Sequence, residues 1–173
     1  MKTRTVMAAL AVALLVGLAP RPARAAGANL PVVQLNAEGN AGRPVEELTR
    51  KAVARDYAKA WHTLAQALEQ NRADLIDNDF VGVAAEKFSA AVAGQAKAGL
   101  RTRYVDRGHK IDILFYSPEG LSIQLRDTAQ LERQVLDGDK VIHSEQVTRH
   151  YIALMTPTEV RWKVRLLQEV PGQ

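Results

Sequence analysis

The sequence predicts a small α+β domain, in which helices precede a four-stranded curved antiparallel sheet and the two together form a cone. Three observations predict it. Apolar residues recur at helical spacing as far as Leu100 and alternate in and out after Arg101. The alternating half divides into four runs, and three turn signals separate them. Helices first and an antiparallel meander second is the order of an α+β fold.

Residues 1–25 read as a secretory signal. Lys2 and Arg4 give a basic start, Val6 to Leu18 is an apolar stretch, and Ala23-Arg24-Ala25 is a cleavage site of the A-x-A type. The mature chain is expected to begin at Ala26, in the periplasm or outside the cell, meeting a membrane only during export. The apolar stretch is shorter than the ~20 residues that span a bilayer. Residues 26–43 are small, polar and glycine-containing apart from Leu30-Pro31-Val32-Val33, and read as a flexible arm rather than a docking strand.

The domain is expected over residues 44–170. Pro44 suits a first helical position, and Glu46 and Glu47 complement the positive end of the helix dipole. Val45, Leu48, Val53, Tyr57, Trp61, Leu64 and Leu68 make one apolar stripe to about Gln70. Asn71 can cap a short helix that Asp77-Asn78-Asp79 breaks. Val81, Ala84, Phe88 and Val92 mark a third helix, rich in small residues, that runs to Gly99. In the sheet, Ile111, Ile113 and Phe115 alternate with polar or outward residues, then Leu121, Ile123 and Leu125 do so after the turn Ser117-Pro118-Glu119-Gly120. Asp137-Gly138-Asp139 signals the second turn and Thr156-Pro157-Thr158-Glu159 the third. Val160, Trp162, Val164 and Leu166 close the sheet.

Charge and cysteine content exclude some functions. The net charge of +4 comes from the leader, where Lys2, Arg4, Arg21 and Arg24 face no acidic residue. The remainder carries 19 basic and 19 acidic residues, which gives no support to a nucleic-acid partner. Cysteine is absent, so neither a disulfide frame nor a lipid anchor on cysteine is expected. No His-x-His or Cys pattern suggests a metal, and no glycine-rich phosphate loop suggests a nucleotide; no cofactor is expected.

Register follows from the turns, because a slip of one residue would turn a whole apolar set outward. Facing Ser117 with Leu121, Leu136 with Lys140 and Met155 with Val160 pairs Phe115 with Ile123, Ile113 with Leu125, and Ala153 with Trp162. It also sets Asp127 on the inward face opposite Arg149, beside Ile111 and diagonal to His109. A two-residue Asp-Gly turn would instead pair Ile123 with Ile152. Charges on the buried side of a sheet are costly unless paired. Asp127, Arg149 and His109 are therefore the candidate acid/base or anion-anchoring residues, and a purely structural cross-strand ion pair is the plainer reading. Tyr57, Trp61, Phe88, Ile113, Leu125, Tyr151 and Trp162 are the candidate pocket lining, though aromatic stripes at helical spacing are usually core. Leu114, Ile152 and Leu154 fall on the outer face and suggest a patch that a homodimer, packed sheet to sheet, would cover.

The pattern Ala54-x-x-Tyr57-x-x-Ala60-Trp61-x-x-Leu64-x-x-Ala67-Leu68, the element order and the closing Trp162-Lys163-Val164 strand resemble the nuclear transport factor 2-like (SnoaL-like) superfamily over residues 44–170. That resemblance implies a cone of helices over a curved sheet. It also implies one of three kinds of protein: a small-molecule enzyme, a non-catalytic binding module or a protein-association domain. The limonene epoxide hydrolase type is similar in placing an arginine between two aspartates. Asp127 and Arg149 match two of the three, and the second aspartate has no counterpart here; Glu145 is a longer substitute. The sequence favours a non-enzymatic exported binding or assembly domain that holds a small apolar or anionic ligand. A hydrolase, isomerase or dehydratase using Asp127 and Arg149, with Tyr57 or His109 as proton donor, is the alternative. An envelope protein-interaction domain acting through its outer sheet face is another.

Overall fold

The computed structural model describes residues 30–36 and 42–172. The leader expected over residues 1–25 lies outside them. Helix α1 spans Glu47–Gln70 and α2 spans Gly82–Lys97, with a 3-10 turn, Ala73–Asn78, between them. The strands are β1 (Val33–Asn36), β2 (Leu100–Tyr116), β3 (Ile123–Asp137), β4 (Lys140–Pro157) and β5 (Trp162–Val170). They form one mixed sheet in sequence order, so it has five strands rather than four. The additional one, β1, belongs to the segment expected as a flexible arm. It pairs parallel to β2, with Val33 beside His109, and the His109 N–H donates to Val32 O at 2.9 Å. No helix among the described residues is long and apolar enough to cross a membrane.

The α1 stripe works as its spacing requires. Val53, Tyr57, Ala60, Trp61, Leu64, Ala67 and Leu68 are buried, whereas Leu48, in the first turn, is 81 % exposed. Asn71 does not start the next helix. It ends α1 in the left-handed conformation (φ 54°), where its N–H meets Ala67 O and its side chain donates to Leu100 O at 3.0 Å. Asp56, fully buried, ties α1 to the last strand by accepting the Trp162 backbone N–H at 2.9 Å, with Arg55 covering its outer side at 2.8 Å. Substituting Asp56→Ala should cost about 1–3 kcal/mol, since the Trp162 N–H would be left buried and unpaired. Urea unfolding followed by tryptophan fluorescence would read that loss, and Asp56→Asn, which keeps an acceptor, should lose less.

Four bulges set the sheet's register and curvature. The β3–β4 turn places Asp137 opposite Lys140, and a bulge at Val135/Leu136 adds a further shift. The hairpin is thus displaced by two residues from the favoured sequence register, and by three from the two-residue Asp-Gly alternative. An even shift keeps the inward set and changes every partner. Asp127 faces Tyr151 instead of Arg149, and Arg149 faces Ala129. A bulge between Ile113 and Phe115 turns Phe115 outward, opposite Gln124 and 43 % exposed, while Tyr116 takes its place beside Ile123. The β4–β5 pairing differs likewise. Met155 meets Val164 and Ala153 meets Leu167; Val160 lies in the turn, 79 % exposed, and Leu167 rather than Leu166 is buried. Trp162 remains inward.

Candidate functional site

Asp127 stands at the middle of β3 on the concave face, between Ile111 of β2 and Tyr151 of β4. Its Oδ2 accepts two hydrogen bonds. Tyr57, from the buried stripe of α1, donates its phenol at 2.8 Å. His109, from β2, approaches with Nδ1 at 2.8 Å. The other ring nitrogen, Nε2, lies 2.7 Å from Asp106 Oδ2. Both neighbours are carboxylates, which accept and do not donate, so both ring nitrogens must carry protons. His109 is therefore an imidazolium bridging two aspartates. Burial opposes its charge, but hydrogen bonds and charge from Asp106 and Asp127 outweigh that, and its pKa rises from 6.5 to about 9. Burial, and then the charge of Asp127, push the Tyr57 phenol well above its usual value, which keeps it a donor.

The cluster is closed. Asp127 and Tyr57 are fully buried and His109 is 1 % exposed. Trp61 seals it: its ring lies 4.7 Å from His109, 5.2 Å from Tyr151 and 6.5 Å, edge to face, from both Tyr57 and Tyr104. Two polar atoms in this region, Asp127 Oδ1 and Trp61 Nε1, have no hydrogen-bond partner among the described residues. Asp106, whose side chain is 21 % exposed, is the member nearest to water.

The structure thus brings together Asp127, His109 and Tyr57 and leaves out Arg149. The Arg149 guanidinium is half-exposed and pairs with Glu169 at 2.6 Å, with Glu145 3.9 Å away. Its pKa is raised by the Glu169 hydrogen bond. Among the proposed lining residues, Ile113, Leu125 and Trp162 are buried core, Tyr151 is half-buried beside Trp61, and Phe88 packs on Phe80 at 5.2 Å. His143 of β4 is exposed. Asp106 was not singled out from sequence. Three residues apart on a regular strand, Asp106 and His109 point to opposite faces. The bulge between Asp106 and Gly108 inserts one residue and returns them to the same side. Gly108 makes that possible with φ 134°, a conformation other residues avoid. In the sequence, Gly108 alone hints at the bulge.

With both His109 nitrogens committed to carboxylates, the ring has no lone pair for a metal. What remains is a carboxylate with one free oxygen, a cation that holds it and a phenol, all enclosed. In form this is an acid/base constellation; its burial is that of a structural polar core.

Helices on the concave side of a curved sheet, with a polar cluster at the centre of the cone, define a nuclear transport factor 2-like α+β fold. Solved structures agree. The chain is similar to the intermembrane space region of the chloroplast protein ARC6 (TM-score 0.64, 13 % identity), covering 70 % of this chain and 96 % of that one. It is also similar to a scytalone dehydratase-like protein from Novosphingobium aromaticivorans (TM-score 0.50, 13 % identity), covering 72 % and 85 %. At these identities the likeness is one of fold. No protein-family model matches the sequence, and no curated protein matches it.

Proposed function

We propose that the mature chain is an exported, non-catalytic binding or assembly domain on a nuclear transport factor 2-like scaffold. The observation that carries this is the burial of Asp127, His109 and Tyr57 beneath Trp61. A general base must come within about 3 Å of the proton it removes. Here the Asp127 carboxylate spends Oδ2 on two donors of its own chain, and its other oxygen, Oδ1, is buried away from solvent. The basic, apolar, A-x-A order of residues 1–25 supports export.

Two measurements test the proposal. Purified protein should turn over no epoxide, steroid-like ketone or polyketide above the uncatalysed rate; turnover that Asp127→Asn abolishes would establish the enzymatic alternative. N-terminal sequencing of the protein recovered from the exporting cell should begin at Ala26, and recovery of the intact leader in the cytosol would refute export.

A further inference from the structure

The outer face of the sheet carries a groove that the cone does not explain. Arg126 and Thr128 of β3 and His150 and Ile152 of β4 form its floor, and Val170, Pro171 and Gly172 at the end of the chain form its wall. Its volume is about 530 Å³, within the ~300–1,000 Å³ of small-molecule sites. The wall depends on a close approach: a Cβ at Gly172 would lie 3.0 Å from the His150 ring, so glycine lets the tail lie against it.

Two features of the lining point to a ligand of one kind. Arg126 is exposed and makes no hydrogen bond or ion pair among the described residues. The carboxylate opposite it in register, Asp112, is engaged by Asn36 at 3.1 Å. A guanidinium free at the edge of a concavity suits a carboxylate, which it can hold through two parallel hydrogen bonds. Thr128 Oγ1 and His150 Nδ1 lie 3.2 Å apart. Their mutual bond uses one donor, and the pair holds at least one more for the same anion. Beside this polar end, Ile152, Val170 and Pro171 offer apolar surface continuous with the outward Leu154. An exposed guanidinium next to an apolar trough matches an anion with a hydrocarbon body.

We propose that this groove binds a free amphipathic carboxylate of fatty-acid type, its head on Arg126 and its chain along Ile152 and Val170. The proposal rests on the binding-domain reading and names its site and ligand class. The probe is sodium dodecanoate, below its micelle concentration, titrated into the full mature protein by calorimetry and by NMR.

The expected result is saturable binding, with shifts at Thr128, His150 and Val170. Arg126→Gln should weaken it about tenfold or more, the effect of losing a charge-assisted bond. Pro171→Glu, which sets a like charge on the exposed wall, should weaken it comparably. Both positions are exposed, so unchanged thermal unfolding verifies the fold. Dodecanol, which lacks the charge, should bind more weakly than dodecanoate. No saturable shift overturns the proposal. So do shifts confined to Tyr57 and Trp61, which would move the ligand to the cone and leave the binding-domain reading standing. Capture by phosphatidylglycerol vesicles in preference to dodecanoate would assign the face to a lipid surface. A stable dimer that buries His150 and Ile152 would assign it to a second copy. Either of those also overturns it. Turnover of a substrate, by contrast, would defeat the binding-domain reading whatever occupies the groove.

Discussion

Replacing Asp127 with alanine is expected to destabilise the domain by about 3–5 kcal/mol, the cost of removing one partner from a buried charge pair. Three consequences add together. The His109 imidazolium keeps only Asp106, 2.7 Å from Nε2, and loses the acceptor on Nδ1. The Tyr57 hydroxyl, fully buried, loses its acceptor at 2.8 Å. A small void opens between Ile111 and Tyr151. Such a loss is a large part of the ~5–15 kcal/mol that separates a folded domain from its unfolded chain. Trp61 and Trp162 are both buried, so urea unfolding followed by tryptophan fluorescence reads the transition directly. Tyr57→Phe removes one hydrogen bond and no charge, and should cost only about 1–2 kcal/mol. Should Asp127→Ala cost under about 1 kcal/mol, water must already reach the carboxylate, and a catalytic role would regain its footing.

The faces of the elements could be read from sequence and the partners could not. A period of 3.6 places Val53, Tyr57, Trp61 and Leu64 on one side of α1 whatever lies beneath. A period of 2 does the same for Ile123, Leu125 and Asp127 on β3. Each is a local property, and the inward carboxylate at 127 was visible for that reason. Who meets Asp127 depends instead on loop closure and bulges. The two-residue displacement of the β3–β4 hairpin preserves the inward set and exchanges Arg149 for Tyr151 across the strand. Apolar alternation cannot detect an even shift, because every side chain keeps its face. The odd irregularities, after Ile113 and at Leu154/Met155, do change faces, and they moved Phe115 outward and replaced Leu166 with Leu167. The first half of β2, with Arg101, Arg103, Asp106 and Arg107, has too little apolar alternation to read as a strand. At four residues, β1 is too short for any period to show.

The stability of the domain is expected to fall as pH rises from about 6 to 10, because of His109. Its pKa is about 9 in the folded chain, against 6.5 in the unfolded one. A group whose folded pKa is raised binds its proton more tightly when folded. Its contribution is therefore complete below pH 6.5 and is lost as pH climbs through about 9. Two and a half pH units correspond to roughly 3 kcal/mol. Loss of that proton would also leave one ring nitrogen facing a carboxylate with no hydrogen between them, so the bridge from Asp106 to Asp127 would open at one end. Urea unfolding at unit steps of pH measures the slope. The same series on His109→Gln isolates its part from that of every other group, since the variant should be less stable at pH 6 and flatter above it. The His109 backbone N–H, bonded to Val32 O, is a local reporter: its hydrogen exchange should rise above the intrinsic base-catalysed trend as the ring deprotonates and the hold of β2 on β1 loosens. Parallel pH profiles for wild type and variant would mean that His109 is not the charged bridge, and the closed polar core would need another cation.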